Sequence, residues 1–192
     1  MTASVGTTVS ESGIILTLPT NSSFTWKAGY LTISELNLEA KKDNREIEFR
    51  LKKSSTIDLF KSNQDFGNVH VPPGSYTEIE FELILNKQTT GNVFAISGDH
   101  KDESGKITPL EFNFNEGITF KLQVEDQTIN VSTDYTGLLT LQLNRLLANL
   151  TSLDLTTASR NVNGIIVISN SSNIELFNKI RAGFMSSFRA DL

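Results

Sequence analysis

The chain has 192 residues, no cysteine, and a formal net charge of −5 from 17 basic and 22 acidic side chains. This length suits one well-filled domain, and the acidic balance without a dense lysine and arginine stripe argues against nucleic-acid binding. The absence of cysteine excludes disulfides, thiol nucleophiles and cysteine-ligated zinc.

The first twelve residues are rich in serine and threonine and nearly uncharged. They contain neither the basic start nor the apolar core of a secretory signal peptide. No apolar run in the chain approaches the roughly 20 residues that a membrane-spanning helix needs. We therefore expect a flexible segment over residues 1–12 and a single domain over residues 13–192.

Most of the chain consists of about seven strand-like segments, in which apolar and polar residues alternate or a short apolar run ends at turn residues. The clearest are residues 13–18, a long hairpin over 31–52, and residues 55–60, 76–85, 110–114 and 118–124. Shorter ones lie at residues 24–26, 69–71, 93–96 and 129–131. Tyr76 is out of phase with the rest of its segment, which predicts a bulge beside the turn at residues 72–74. Residues 97–106 and 125–127 are expected to be polar connections.

From Thr136 the spacing becomes helical. Leucines recur at positions 138, 139, 141, 143, 146, 147 and 150 and predict a first helix. A second helix is expected after Ser172, which forms a capping-box pattern with Glu175. Its apolar stripe is Phe177, Ile180, Phe184 and Phe188, which we expect to cover an open face of the sheets. Residues 186–192 are expected to fray.

The chain is thus predicted to be a mainly β, antiparallel β-sandwich with two C-terminal helical segments.

Several short motifs resemble a family of uncharacterised bacterial lipoproteins. They are Ile57-Asp58-Leu59, the turn Val71-Pro72-Pro73-Gly74-Ser75-Tyr76 that opens a long strand, and Phe120-Lys121-Leu122. Residues 153–155, 163–166 and 172–174 are similar to lipoproteins of the Bacteroidetes. The resemblance implies an Ig-like or transthyretin-like sandwich, export to the periplasm or outer-membrane surface, and a lipid anchor upstream of the given sequence.

The sequence offers one candidate cation site. His100 lies with Asp99, Asp102 and Glu103 in the polar segment 97–106, but their spacing does not match the calcium-binding loop of an EF-hand. We expect a solvated hairpin loop and no metal site. His70, the other histidine, is interpreted as a solvent-facing strand residue.

No catalytic or cofactor-binding residues are predicted. The chain contains no G-x-S-x-G nucleophile elbow and no glycine-rich phosphate-binding loop. A spatial pair of carboxylates stays an open alternative, although most acids lie at outward strand positions or turns. The chain is therefore expected not to be an enzyme.

The densest aromatic group is Phe24, Trp26 and Tyr30. Large aromatic side chains usually anchor a core, so Trp26 is expected to be buried. The alternative is that Trp26 and Tyr30 share an exposed face and stack on sugar rings.

The predicted function is that of a non-catalytic exported surface or periplasmic module, acting in adhesion, assembly or ligand binding with a protein or glycan partner. One alternative is a carbohydrate-binding module, which exposure of Trp26 and Tyr30 on one face would favour. The other is a pilus or fimbria-like subunit, which an unpaired groove or a donated terminal strand would favour.

Overall fold

The structure is a computed structural model that describes residues 15–17, 22–42, 45–51, 54–61, 71–129 and 138–191. These residues form twelve strands and three short helices, so the predicted mainly β class is confirmed. The strands are β1 Ile15–Thr17, β2 Ser23–Ile33, β3 Glu35–Lys42, β4 Arg45–Leu51, β5 Ser55–Asp58, β6 Gly74–Leu85, β7 Phe94–Lys101, β8 Ile107–Phe114, β9 Ile118–Ile129, β10 Leu138–Leu141, β11 Ile166–Ile168 and β12 Phe188–Asp191. The helices are α1 Leu143–Leu146, α2 Ser152–Thr156 and α3 Ile174–Met185. The particular Ig-like or transthyretin-like arrangement stays a prediction.

The first sheet has six strands in the order β1-β2-β7-β8-β11, with β5 also paired to β2. All its pairs are antiparallel except β8 with β11. The second sheet has four antiparallel strands in the order β4-β3-β6-β9. Only Ser34 separates β2 from β3, so one continuous stretch of chain belongs to both sheets. Its amide donates to Ile84 O at 2.9 Å, which ties the crossing point to the second sheet.

A β-bulge in β2 determines which side chains enter the core. The register of β2 against β7 shifts between Trp26 and Ala28. In an unbroken strand, side chains at even and odd positions point to opposite faces. Here Phe24 and Trp26 before the bulge, and Leu31 and Ile33 after it, are all buried in one core. The extra residue therefore switches the set of alternate positions that faces the core from even to odd numbers. In the sequence, the two parts of β2 formed separate alternating segments, residues 24–26 and the hairpin that starts at residue 31.

The helix α3 covers the inner face of the first sheet, as its apolar stripe predicted. The rings of Phe94 and Phe184 lie 4.7 Å apart, and those of Phe112 and Phe177 lie 5.9 Å apart. Ile180 is also fully buried. Phe188 was wrongly assigned to this stripe, because it belongs to β12 and contacts Phe120 of the second sheet with ring centroids 4.3 Å apart.

The predicted first helix over the leucine-rich stretch is wrong. Its start forms β10, and a single helical turn, α1, follows. The strand β10 pairs with β12, which lies about fifty residues later in the chain, so a non-local partner overrides the local helical spacing. The same pairing corrects the expectation that residues 186–192 fray, since β12 covers Phe188–Asp191.

The predicted capping box at Ser172 is also wrong. The residue preceding α3 is Asn173, in the left-handed region at φ 48° and without a side-chain cap. Its amide group instead donates to Ser159 O and Val167 O at 2.9 and 2.8 Å. Ser172 lies in a tight turn with Ser169. A capping box does occur at α2, between Thr151 and Asp154, so the motif exists at a different helix.

Two of the predicted connections are strand. The strand β7 continues to Lys101, and the turn proper is residues 102–106, where the Asp102 carboxylate accepts from the amides of Ser104 and Lys106 at 3.0 and 2.9 Å. The strand β9 runs unbroken through residues 125–127 because its long partner β6 supplies pairing along its whole length.

The register of β6 against β9 is constant through Tyr76, so the bulge predicted at this residue is absent. The Tyr76 hydroxyl donates to Pro72 O at 2.6 Å. The predicted flexible segment 1–12 lies outside the described residues.

Candidate functional site

The outer face of the first sheet has a depression over its central strand. Two cross-strand rows form it: Tyr30, Ala95 and Asn113 in one, and Ala28, Ser97 and Glu111 in the next. The central strand β7 contributes only the small side chains of Ala95 and Ser97, whereas the longer side chains on β2 and β8 flank it. The result is a cavity of about 270 Å³, lined by Ala28, Tyr30, Asn92, Ser97, Glu111 and Asn113 among others. We call it the first-sheet depression.

The bulge in β2 is what places Tyr30 at this site. Trp26 and Tyr30 are four residues apart and would share a face in a regular strand. Because the register shifts between Trp26 and Ala28, Trp26 is fully buried while Tyr30 lies on the outer face and is half-buried. The bulged residue Lys27 is exposed and pairs with Asp99 on the same outer face, with Nζ and Oδ2 2.5 Å apart.

The core interpretation of Trp26 is therefore confirmed. Its indole stacks on Phe24 with ring centroids 5.7 Å apart. The alternative of a flat sugar-binding platform made by Trp26 and Tyr30 together is wrong, since the two rings lie on opposite faces of the sheet.

The polar groups of the depression suit an uncharged, hydroxyl-rich ligand. Asn92 Nδ2 donates to Asn113 Oδ1 at 3.1 Å, which orients both amide groups. The lining adds the Ser97 and Tyr30 hydroxyls and the Glu111 carboxylate, and it includes no basic side chain. Amide, hydroxyl and carboxylate groups together can both donate to and accept from ligand hydroxyls. Its volume is just below the range of about 300–1,000 Å³ typical of pockets for drug-sized ligands, so it suits a ligand of one ring.

The residues of the candidate cation site do not converge. His100 lies in β7 and is only 3% exposed, on the inner face of the sheet, with its ring 5.1 Å from that of Phe24. Its neighbour Asp99 points to the outer face and pairs with Lys27, and Asp102 holds the following turn. Within the part of the chain that the structure describes, no group of three or more acidic or histidine side chains is arranged to hold a metal ion. The loop assignment of His100 was wrong because strand pairing with β8 extends through it. His70 lies outside the described residues.

Burial lowers the pKa of His100 below its ordinary value of 6.5; the Asp102 carboxylate opposes this effect and Arg160 adds to it. The unfolded chain therefore binds more protons than the folded protein as the pH falls below 6.5, and folding stability is lost in that direction. We expect the free energy of unfolding to fall through this group as the pH is lowered from about 7 to about 5. In His100→Leu that part of the loss should disappear.

Urea denaturation at both pH values measures the effect. Ser97→Ala, on the opposite face of the same strand, is the control and should keep the pH dependence of the original protein. The same pH dependence in His100→Leu and in the unsubstituted protein would contradict the assignment.

The sequence did not identify the polar residues of the depression. Asn92 precedes β7, Ser97 lies in β7, and Glu111 and Asn113 lie in β8, so only the register brings the four together. The one signal available in the sequence was the small size of Ala95 and Ser97, alternate residues whose side chains leave a gap on the outer face of β7.

Comparison of the chain with protein-family models, with curated proteins and with solved structures finds no match. No helix in the described parts of the chain is long and apolar enough to cross a membrane.

Proposed function

We propose that this protein is a non-catalytic binding module that holds a neutral saccharide in the first-sheet depression. The observation that carries the proposal is the arrangement of Tyr30, Asn113 and Glu111 around the small floor of β7. An aromatic side wall offers a surface for the apolar face of a sugar ring, and the amide and carboxylate groups offer hydrogen bonds to its hydroxyls.

The composition of the lining supports binding over catalysis. Most glycoside hydrolases use two carboxyl groups that flank the scissile bond. The depression is lined by one carboxylate, Glu111, and by no histidine. Such a lining can orient hydroxyl groups, but it lacks an acid–base pair to move protons at a reacting bond.

The pairing of the first and last described strands favours the saccharide module over a pilus-like subunit. A donated strand would leave its own sheet and complete a neighbour's. In this chain β1 pairs with β2, and β12 pairs with β10.

The location of the module is proposed on the lipoprotein resemblance alone. The resemblance supports a location in the periplasm or on the outer-membrane surface of a bacterium, with a lipid anchor outside the given sequence. A native precursor with a signal peptide and a lipidated cysteine upstream would support this location. A mature protein that starts at Met1 would contradict it.

Substitution of the depression tests the binding function. We expect a panel of short neutral oligosaccharides (β-glucan, chitin, α-glucan and galactan fragments) to contain at least one saturable ligand in calorimetric titration. Tyr30→Ala and Glu111→Gln should each weaken that ligand by about tenfold or more, because each removes contacts worth about 1.4 kcal/mol. The exposed Ile107 lies on β8 beyond the depression, so Ile107→Ala is the control and should retain the affinity. Equal affinities in the unsubstituted protein and all three variants would contradict the assignment of the site.

A further inference from the structure

The outer face of the second sheet is dominated by glutamate. In its central cross-strand row Glu48 on β4, Glu39 on β3 and Glu80 on β6 lie each directly opposite the next, and Gln123 on β9 completes the row. Like charges directly opposite each other on adjacent strands destabilise a sheet. The cations of this face lie in other rows: Arg50 and Lys121 on the edge strands, and Lys41 on β3, where it pairs with Glu78. We call Glu48, Glu39 and Glu80 the glutamate row.

Neighbouring groups relieve the repulsion only in part. Lys121 Nζ lies 2.8 Å from Glu80 Oε1, and Arg50 Nε lies 2.6 Å from Glu48 Oε1. Among the described residues no basic side chain forms an ion pair with the central Glu39, which instead has the Glu46 carboxyl as a neighbour. Partial burial, followed by the hydrogen bond and charge of Glu46, raises the pKa of Glu39 above its ordinary value. The middle of the row therefore keeps an unfavourable concentration of carboxyl groups.

Asn37 supplies a second, independent observation on the same face. Its side chain is 5% exposed, and its Nδ2 donates to Glu82 Oε2 at 2.9 Å. The carboxylate can only accept, so this contact fixes which end of the amide is the NH₂ group. The other end, Oδ1, is buried and has no hydrogen-bond partner. A buried acceptor without a donor costs stability, and this one lies two residues along β3 from Glu39.

We propose that this face binds a basic polypeptide segment, whose lysine or arginine side chains lie across the glutamate row and displace the side chains that bury Asn37 Oδ1 in order to donate to it. Strands lie about 4.8 Å apart, so the three carboxylates form a line that successive cationic side chains of an extended segment can follow. A metal ion fits less well, because the described acidic side chains form no cluster that could hold one. The surface belongs to the other sheet and is independent of the first-sheet depression.

A fluorescein-labelled decapeptide of alternating arginine and glycine tests the proposal by anisotropy at about 50 mM salt, where surface charges are weakly screened. We expect saturable binding that Glu39→Gln and Asn37→Leu each weaken by about tenfold. Glu39→Gln should at the same time keep or raise the melting temperature, because it removes repulsion within the sheet. A residue with a purely structural role would not combine weaker binding with equal or higher stability.

Two exposed acids elsewhere provide matched controls. Glu103→Gln, in the turn after β7, and Glu175→Gln, at the start of α3, change the net charge as Glu39→Gln does, and each should alter the affinity by less than about twofold. Loss of affinity in these controls equal to that in Glu39→Gln would overturn the proposal, because net charge alone would then explain binding.

Absence of peptide binding, or calorimetric binding of calcium that Glu39→Gln abolishes, would also overturn the proposal. Saccharide titration of Glu39→Gln should be unchanged, which separates this surface from the first-sheet depression.

Discussion

Gly98→Ala is expected to lower the free energy of unfolding by about 3 kcal/mol or more. Gly98 lies opposite Trp26 where β2 bulges, and the backbones approach closely there. A Cβ at Gly98 would overlap the carbonyl oxygen of Thr25 and would lie 2.9 Å from Trp26 Cα. Both are backbone atoms, so no change of rotamer can relieve the overlap, and the pairing of β2 with β7 must be disturbed. Urea denaturation measures the loss.

Gly117→Ala is the matched glycine control. A Cβ there would meet nothing closer than 3.8 Å, and its backbone is not in the left-handed region. Its effect should stay within about 0.5 kcal/mol. Equal and small effects at Gly98 and Gly117 would mean that the backbones of β2 and β7 lie further apart at the bulge than in this structure. Because the bulge turns Tyr30 outward, Gly98→Ala should also weaken saccharide binding.

Phe184→Ala is expected to cost about 3–5 kcal/mol, the range for truncating a fully buried aromatic residue. The Phe184 ring joins both sheets through α3. Its centroid lies 4.7 Å from that of Phe94 and 5.0 Å from that of Phe114 in the first sheet, and 5.5 Å from that of Phe120 in the second. Removing it leaves a cavity where three layers meet, and the shift in the urea midpoint measures the loss.

Met185→Ala provides the control for Phe184→Ala. Met185 is the next residue of α3 and is 45% exposed, so its truncation should change stability by no more than about 0.5 kcal/mol. A loss at Met185 as large as that at Phe184 would indicate that helix propensity, rather than the aromatic core, determines the stability of this region.

The sequence predicted the elements whose signal is local and regular. The alternating run from Glu46 to Leu51 forms one strand of a hairpin with β3, and the stripe Phe177, Ile180 and Phe184 covers a sheet as expected. The strand β10 was missed because leucines at positions 139, 141 and 143 fit a strand as well as a helix. Only its pairing with β12, far away in the chain, decides between them.

The candidate site was harder to predict, because it depends on one inserted residue and on register. The sequence around Trp26 and Tyr30 does not reveal the bulge that separates their faces. Its cause lies partly in Gly98, more than seventy residues away, which allows the backbones to approach. Likewise, the sequence does not show that Asn37 Oδ1 lacks a donor, because the amide orientation follows from Glu82, which pairing with β6 places beside it.

The central claim is that a saccharide binds in the first-sheet depression, and amide chemical-shift mapping during titration with the oligosaccharide selected by calorimetry tests it most directly. We predict saturable shifts concentrated at residues 28–30, 95–97 and 111–113, with little change in the second sheet. Shifts concentrated elsewhere, or none at saturating oligosaccharide, would contradict the account.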